Sequence, residues 1–469
     1  MNLKADGRLH RAKMVDLTNC TFDGHIYNTR RVMEECLAIK PDLIFLWDEA
    51  WFGFARFSPF LRPRTAMGAA NEIEAWLQDP NSVSQYEKQQ AVLGPNPTDE
   101  ALLKIRLIPD PRKVKLRVYH THSTHKSMSA LRQGSMLLVK DVEFHTVEAQ
   151  FKEAVFTHAS TSPNQQLIAS LEVARRQMEL EGYGLVHNAI EIALAIRQAV
   201  AEHPLISKYF HILGADKMVP AAYRESGFID YLDPKSNWVA ARRSLQEDEF
   251  CLDPTRMTLV CGTAGFDGTQ FKGMLANNYN IQLNKTSRNS VLLQSNINNT
   301  RSDVAHLIRV LVEICNEIEE RLAEGANVRK TFDERVKSLM TDVPDLPNFS
   351  HFHDAYRKDA GKRTNEGDIR GGFYAAYDEE GCEYIRLADP EIDRRLKEGP
   401  DLVSANFVIP YPPGFPIMVP GQVITRETID FMRKLDVKEI HGYDAAEGLK
   451  LVRAEALAKS TGASAKRAA

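Results

Sequence analysis

The feature that most constrains the fold is an uninterrupted apolar segment near the start of the chain. Residues Leu43 to Trp47 read Leu-Ile-Phe-Leu-Trp, without the alternation of a strand that has one face in water. A strand of this kind is covered on both faces, as in parallel sheets flanked by helices. A short strand from Met14 to Leu17 and a helical pattern from Asn28 to Lys40 precede it. The chain is therefore predicted to begin inside an α/β layer.

A second strand of this layer leads into an unusual polar segment. Val114 to Tyr119 is predicted to be a strand, and it runs into the sequence Thr-His-Ser-Thr-His-Lys that ends at Lys126. Asp48 directly follows the first apolar strand. Because ligands bind at the carboxyl ends of parallel strands, we expect Asp48 and the loop at Lys126 to face one cleft.

Each of these polar residues also has an ordinary interpretation. Lys126 alone could be a surface lysine, and Asp48 alone could cap the next helical turn. Ser160 and Ser162 alone would indicate a polar turn before Pro163. His122 and His125 have no third ligand nearby, so no metal site is predicted. A lysine paired with an aspartate is nevertheless what pyridoxal phosphate requires, because the aspartate keeps the pyridine nitrogen protonated.

The remainder of the chain is predicted to alternate between helices and strands. A strand over Ser135 to Lys140 is followed by a long helix from Leu167 to Glu202, interrupted near Gly182 to Gly184. A small α+β domain is predicted beyond it, with these elements: strand Met257–Val260, helix Gly273–Tyr279, strands Ile281–Leu283 and Ser290–Gln294, and helix Ser302–Leu322. From about Val343 the sequence is richer in turns and prolines.

Composition and charge restrict the class of partner. The net charge of -4 gives no basic field for nucleic acid or anionic lipid, so a small polar metabolite is the expected partner. Six scattered cysteines without a metal-like spacing favour a reduced, cytoplasmic environment. The first residues lack an apolar signal core, and no stretch approaches about 18 apolar residues, so neither secretion nor membrane insertion is expected.

Five motifs in a fixed order resemble bacterial ornithine/lysine/arginine decarboxylases over essentially the whole chain. They are Leu17-Thr18-Asn19-Cys20-Thr21-Phe22-Asp23-Gly24, Trp47-Asp48-Glu49-Ala50-Trp51, Ser123-Thr124-His125-Lys126, Thr161-Ser162-Pro163 and Pro410-Tyr411-Pro412-Pro413-Gly414. The segment Asp253 to Thr258 also resembles the small domain of that family. The resemblance implies an α/β fold: part of a fold type I, aminotransferase-like major domain, then a small α+β domain and a C-terminal α+β domain.

The resemblance also implies roles for individual residues. Lys126 would hold pyridoxal 5'-phosphate as a Schiff base, and Asp48 would pair with its pyridine nitrogen. Trp51 would pack beside the cofactor. The further contacts implied are Ser123 and His125 at or near the phosphate, and Ser160 and Ser162 at a phosphate that could belong to the neighbouring subunit. Lys126, once released, is the first candidate for the acid that reprotonates the substrate carbon, and His125 is the second.

The predicted domain boundaries follow the resemblance. They are a partial cofactor-binding major domain over 1–165, a connector helix and small domain over 166–335, a C-terminal decarboxylase domain over 336–458 and a flexible tail over 459–469. The family's Ser/Thr-rich phosphate loop, its ring-stacking histidine and its N-terminal wing domain have no counterpart in residues 1–13. Asp79 to Asp110 is interpreted as an insertion, and Gly421-Gln422 replaces the family's Gly-Glu.

Three functional hypotheses follow. The first is a homodimeric or larger pyridoxal-phosphate decarboxylase of a basic amino acid, with arginine slightly ahead of lysine or ornithine. The second is a non-catalytic remnant or partner subunit that keeps the fold but cannot hold the cofactor unaided. The third is another reaction of the same cofactor, such as transamination.

Overall fold

A computed structural model of the protein describes residues 2–233, 237–342, 346–348, 351–358, 360–361, 364–411, 415–435 and 439–465. Two compact units make up the chain. One consists of residues 10–260 and 292–321, and it is called the sheet unit below. The other consists of residues 1–9, 261–291 and 322–469, and it is called the C-terminal unit. These units cut across the domain boundaries predicted from the sequence, which remain a prediction.

The described strands are β1 Met14–Thr18, β2 His25–Tyr27, β3 Ile44–Asp48, β4 Arg117–His122, β5 Met136–Asp141, β6 His211–Ile212, β7 Phe250–Leu252, β8 Arg256–Val260, β9 Lys285–Thr286, β10 Ser290–Gln294, β11 Cys382–Ile385, β12 Ile409–Tyr411, β13 Glu439–His441, β14 Tyr443–Asp444 and β15 Gly448–Val452. The α-helices are α1 Asn2–Ala5, α2 Thr29–Ile39, α3 Ala66–Gln78, α4 Ser82–Leu93, α5 Asp99–Leu103, α6 Thr124–Ser127, α7 Phe144–His158, α8 Gln165–Glu202, α9 Ile206–Tyr209, α10 Ala215–Met218, α11 Trp238–Glu247, α12 Gly268–Tyr279, α13 Arg301–Ala323, α14 Ala326–Thr341, α15 Ile369–Ala375, α16 Pro390–Glu398, α17 Arg426–Lys434 and α18 Ala454–Ala465. Short 3-10 helices cover Leu9–Arg11, Gly53–Phe57, Arg62–Arg64, Ala221–Tyr223, Gly262–Ala264 and Asp354–Tyr356.

The sheet unit is built around four strands in the order β1-β3-β4-β5. The first three are parallel, and β5 is antiparallel to β4. Helices α2 and α3 supply apolar side chains to one core with β3 and β4, including Phe45, Trp47 and Val118, all fully buried. Asn28 caps α2 by accepting from the Arg31 amide, and Thr65 caps α3 by accepting from the Gly68 amide. The α/β layer predicted from the apolar strand is confirmed.

Antiparallel pairing also joins other strands of the sheet unit. β2 pairs with β7, with Ile26 opposite Cys251. β6 pairs with the end of β8, with Ile212 opposite Leu259. The pairing of β2 with β7 ties the segment that follows β1 to residues more than 200 positions later.

The strand before Lys126 lies three residues further along the chain than predicted. β4 runs from Arg117 to His122 rather than from Val114 to Tyr119, so the two histidines at 120 and 122 belong to the strand. Both histidine side chains point to the buried face. The hydrophobic pattern placed the end of the strand too early because it counted these histidines as loop residues.

The predicted break in the long helix is wrong, since α8 is continuous over 38 residues. Gly182 is buried, and a Cβ added to it would lie 3.0 Å from Cβ, Cγ and Cδ1 of Phe57. This glycine therefore allows the 3-10 helix Gly53–Phe57 to pack closely on α8 rather than breaking the helix. Gly184 has no atom within 4 Å of its added Cβ.

Three further predictions from the sequence concern residues 281–283, 79–110 and 459–469. The segment from Ile281 to Leu283 is not a strand: Asn280 ends α12 in the left-handed conformation, the Ile281 amide bonds to Leu275, and the strand comes later as β9. The polar stretch from Asp79 to Asp110 contains α4 and α5. The last helix extends through Ala465, inside the predicted flexible tail, whose flexibility remains a prediction. Residues 466–469 and the Pro412-Pro413-Gly414 part of the fifth motif lie outside the described residues.

The C-terminal unit has its own core. β15 lies between β11 and β14, and β12 pairs with β13, all antiparallel. Apolar residues of α16, α17 and β15 are buried together, among them Ile392, Ile429 and Leu451. Gln422 uses its side-chain oxygen to accept from the Val419 amide, which is a turn-forming contact.

Substitutions at the two glycines of α8 test this explanation of the unbroken helix. We expect Gly182→Leu to lower the free energy of unfolding by about 1–3 kcal/mol, because it overpacks the contact with Phe57. Gly184→Ala should raise it by about 0.5–1 kcal/mol, because alanine loses less backbone entropy in a helix. Urea unfolding followed by circular dichroism measures both, and equal effects at the two positions would contradict the packing role of Gly182.

Candidate functional site

The candidate site forms where β3 and β4 end side by side. Asp48 is paired with Thr121 in the parallel register. Beyond the strands, the Glu49 amide donates to the Thr121 carbonyl at 2.9 Å, and the Ser123 amide donates to the Ala50 carbonyl at 3.3 Å. The two polar loops predicted to share a cleft are thus joined by backbone hydrogen bonds. That Asp48 and Lys126 face one cleft stays a prediction.

Lys126 lies against an aromatic ring. It belongs to the single turn α6, which continues directly from β4 after Ser123. Its Nζ is 5.2 Å from the centroid of the Trp51 ring, a cation–π distance. Trp51 follows Asp48 by three residues, so the aspartate strand supplies the ring against which the lysine packs.

Two consecutive carboxyl groups at the end of β3 have opposite surroundings. Asp48 is half-buried, and its Oδ1 accepts from the Ala50 amide at 3.0 Å. Glu49 is fully buried on the other face, where its Oε1 accepts from Asn19 Nδ2 and from the Ala66 amide, each at 2.8 Å. Alternation along an extended chain separates them in this way. Asp48 is therefore available to a ligand, whereas Glu49 is internal.

Glu49 faces a histidine inside the protein. Its Oε2 is 3.3 Å from Nε2 of His120, which is itself buried. Burial raises the pKa of Glu49 to about 8, and burial together with His122 lowers the pKa of His120 to about 3. Neither Glu49 Oε2 nor His120 Nε2 has a hydrogen-bond partner among the described residues. With these pKa values both groups are neutral at pH 7.

A group of buried polar atoms lies under the lysine turn. His120 and His122 rings are 5.2 Å apart, and burial also lowers the pKa of His122. Among the described residues, the buried polar atoms without a protein hydrogen-bond partner include both ring nitrogens of His122 and the hydroxyls of Thr124 and Ser127. Buried polar groups of this kind are usually satisfied by internal water.

The remaining predicted residues make contacts of their own in the structure. The His125 ring faces the backbone of Gly134, and its Nδ1 is 2.8 Å from that carbonyl oxygen. Ser123 is the residue before α6, and its side chain makes no capping bond there. Ser160 and Ser162 are exposed in the loop between α7 and α8, where the Ser162 amide donates to the Ser160 hydroxyl at 3.1 Å. Their predicted contact with a phosphate stays a prediction.

Arg256 is a component of this region for which the sequence suggested no role. It starts β8, is 1% exposed, and its Cζ is 5.5 Å from the same Trp51 ring that Lys126 contacts. Its Nη1 donates to the Phe22 carbonyl at 2.7 Å, and its Nε is 3.6 Å from Oδ2 of the buried Asp253. The sequence signal was its presence in the Asp253–Thr258 motif, which did not reveal the contact with Trp51.

The described part of the chain contains no candidate for a membrane span or for a metal site. None of its helices combines the length and apolar character needed to cross a membrane. No three His, Cys, Asp or Glu side chains in that part are arranged as metal ligands. All six cysteines are free thiols.

The neutral Glu49–His120 pair predicts a pH dependence of stability. Glutamine resembles the protonated form of Glu49 and does not titrate. In wild type, Glu49 keeps its proton in the folded state, whereas in the unfolded chain it loses the proton above its ordinary pKa of 4.5. Between that value and about 8, the folded state holds a proton on Glu49 that the unfolded chain has lost, so the contribution of Glu49 to stability falls as pH rises. The lowered pKa values of His120 and His122 act in the opposite direction, but they are present in both proteins. The free energy of unfolding of Glu49→Gln relative to wild type should therefore increase from pH 5 to 8. Urea unfolding at several pH values measures the difference, and a difference independent of pH would contradict the neutral pair.

Comparison with known proteins shows similarity to amino acid decarboxylases along most of the chain. The lysine decarboxylase LdcA of Pseudomonas aeruginosa is 25% identical over 451 residues, which cover 92% of this chain and 53% of LdcA. The biodegradative arginine decarboxylase of Escherichia coli K12 is 24% identical over 444 residues, or 87% of this chain and 52% of the relative. The chain thus spans about half the length of the curated relatives it matches.

Solved structures share the fold. The Francisella novicida lysine decarboxylase LdcF superposes with a TM-score of 0.55 at 21% identity, covering 94% of this chain and 57% of LdcF. The mixed α/β architecture predicted from the resemblance, with an aminotransferase-like major domain and a C-terminal domain, is confirmed at this level.

Two family models match the chain. The model described as Orn/Lys/Arg decarboxylase, major domain, matches residues 3–93 and 102–303. Of the predicted insertion from Asp79 to Asp110, only residues 94–101 lie outside this match. The model described as Orn/Lys/Arg decarboxylase, C-terminal domain, matches residues 384–444. Since the major-domain match alone covers more than half of the 469 residues, the chain belongs to the Orn/Lys/Arg decarboxylase family.

Proposed function

We propose that this chain carries the lysine-bearing part of a pyridoxal-phosphate-dependent decarboxylase that acts on a basic amino acid. The observation that carries the proposal is the junction of β3 and β4. There the two residues after Asp48 are hydrogen-bonded through their backbone to the segment that leads to Lys126, and Trp51 packs on Lys126. A lysine, a half-buried carboxylate and an aromatic ring are the side-chain types that this cofactor needs around its own ring.

These residues fit the aromatic part of the cofactor. Lys126 would hold it covalently through Nζ, and Asp48 would keep the proton on the pyridine nitrogen. Trp51 would pack beside the cofactor. Asp48 is suited to this role because its carboxylate is half-buried and receives one amide hydrogen. Pyridoxal phosphate supplies the electron sink that lets an amino acid lose its carboxylate as carbon dioxide.

The chain's own residues would manage the protons. Lys126, once its amine is free, is the first candidate to return a proton to the substrate α-carbon. His125 is the second. A neutral His125 carries hydrogen on Nδ1, because that nitrogen faces the Gly134 carbonyl, so Nε2 is an acceptor and delivers a proton only from the imidazolium form.

Substrate, partner and location are part of the proposal. The relatives compared above are lysine and arginine decarboxylases, and we place arginine slightly ahead of lysine or ornithine. A second copy of the chain is the proposed partner, with Ser160 and Ser162 directed to a phosphate that could lie in the neighbouring subunit. The cytoplasm is the proposed location, in keeping with six free thiols.

A second candidate function is a subunit that needs another polypeptide to hold the cofactor. The outer strands β1 and β5 have no further strand beside them among the described residues. Helix α7 has no buried residue, and even its apolar Phe156 is 63% exposed. Open strand edges and exposed apolar side chains are suited to pairing with another chain.

Covalent labelling tests the principal proposal. The protein is incubated with pyridoxal phosphate and reduced with borohydride, which fixes the cofactor on a lysine amine, and the labelled peptide is identified by mass spectrometry. We expect the label on Lys126 and none there in Lys126→Ala, which should also lose decarboxylation of basic amino acids by several orders of magnitude. Lys115→Ala is the matched control. Lys115 precedes the first residue of β4, at the end of the strand away from Lys126, and its Nζ pairs with Glu143.

The outcomes separate the two candidates. A label on Lys126 with release of carbon dioxide from a basic amino acid supports the principal proposal. Absence of a label from the chain alone, with labelling restored by an added partner polypeptide, supports the second candidate. A stable label confined to other lysines contradicts both.

The two adjacent carboxyl groups provide a second test. Asp48→Asn should lower the turnover number on the order of 100-fold, because an amide cannot hold the ring nitrogen protonated. Glu49→Gln should leave turnover close to that of wild type, since Glu49 is buried on the other face and already protonated. Steady-state carbon dioxide release measures both. Equal losses would show that the assignment of the two faces is wrong.

A further inference from the structure

We propose that Arg256 is a positioning residue that fixes the Trp51 ring beside Lys126. This inference rests on the proposed function, because the ring it fixes is the one proposed to flank the cofactor. It extends that function to a residue more than 200 positions away in sequence, at the start of β8.

The first argument is the geometry around the indole. The Arg256 Cζ is 5.5 Å from the Trp51 ring centroid, and the Lys126 Nζ is 5.2 Å from the same centroid. Phe22 also packs on Trp51, with ring centroids 5.7 Å apart. The indole is thus held by two cations and one aromatic ring, each from a different segment of the sheet unit.

The second argument is the way the guanidinium is held. Nη1 donates to the Phe22 carbonyl at 2.7 Å, and Asp253 Oδ2 lies 3.6 Å from Nε. Among the described residues, Nε and Nη2 have no hydrogen-bond partner. A fully buried guanidinium with two nitrogens unpaired gives up favourable hydration, and attraction to the face of an indole offsets part of that cost.

The third argument is that the arginine is itself fixed. Asp253 bonds through Oδ1 to the amide and hydroxyl of Thr255, at 2.9 and 2.7 Å. The Arg256 carbonyl accepts from Nη2 of the buried Arg197 at 2.7 Å. An added Cβ at Gly24 would lie 3.0 Å from the Arg256 Cβ, so the loop after β1 approaches it closely. The cation has little room to follow a moving ring, and it therefore restrains the ring.

The consequence for Lys126 is indirect. Arg256 is 1% exposed, so it acts through Trp51 rather than by touching a ligand. When the Trp51 ring is fixed in position, it provides an apolar surface on one side of the turn that contains Lys126. Removing the cation should let the ring move and slow the productive approach of Lys126 Nζ to the cofactor carbonyl.

A double-mutant cycle tests this role. Arg256→Gln removes the cation, Arg256→Lys keeps it, and Trp51→Leu removes the aromatic face. The readout is the rate at which Lys126 takes the borohydride-trapped label from pyridoxal phosphate. We expect Arg256→Gln to slow labelling on the order of tenfold, Arg256→Lys to restore part of the rate, and Arg256→Gln to have little further effect in the Trp51→Leu background. Equal slowing in both backgrounds would overturn the proposal.

A cofactor-independent readout separates this proposal from the proposed function. The near-ultraviolet circular dichroism contributed by Trp51 is obtained as wild type minus Trp51→Leu, and it should change in Arg256→Gln but persist in Arg256→Lys. Arg64→Lys is the matched control, because Arg64 is also 1% exposed and bonds to the carbonyls of residues 244, 245 and 248. It should lower stability without altering the Trp51 signal. An unchanged signal in folded Arg256→Gln would refute the positioning role even if Lys126 labels normally.

If neither wild type nor any variant is labelled at Lys126, the proposed function fails. The Trp51 signal still tests the contact between Arg256 and Trp51. If Arg256→Gln does not fold, Arg256→Met takes its place, because it removes the cation and still fills the buried space. An unchanged Trp51 signal in folded Arg256→Met would overturn the positioning role.

Discussion

The parallel hydrogen bonding between β3 and β4 is the constraint on which the rest of the site depends. It pairs Asp48 with Thr121, and it continues past the strands through the Glu49 and Ser123 amides. A slip of two residues would move Asp48 by about 6.6 Å along the strand, and a slip of one would turn it to the other face. The buried side chains of β3 and β4 prevent either slip, because they fit against α2 and α3.

The same extended backbone gives two neighbouring acids different chemistry. Asp48 faces the side where a ligand can reach it, whereas Glu49 is buried beside Asn19 and His120. Burial keeps the proton on Glu49, and the negative charge of Asp48 raises the pKa of Glu49 slightly further. The end of β3 consequently carries one negative charge rather than two.

The sequence predicted β3 to within one residue because an apolar run buried on both faces has a clear pattern. It placed β4 too early, since His120 and His122 are polar residues that the fold nevertheless buries. It also treated Gly182 as a helix break, because the pattern along one helix contains no information about Phe57 packing against it. The residues Asp48, Trp51 and Lys126 were found by family resemblance, and hydrophobic patterning alone would not have distinguished them from surface residues.

Arg256 shows why long-range contacts escape such reasoning. No local pattern links it to Trp51, and the contact exists only because β2 pairs with β7 and carries the loop after β1 to the start of β8. That loop supplies Phe22 on one side of the indole and a carbonyl for the guanidinium. The lysine that defines the family motif therefore rests on a ring whose position depends on three separate segments. Since the chemistry proposed for Lys126 requires its Nζ to be held within ångströms of a reacting atom, the packing at β8 is part of the site even though no residue of that strand needs to touch a substrate.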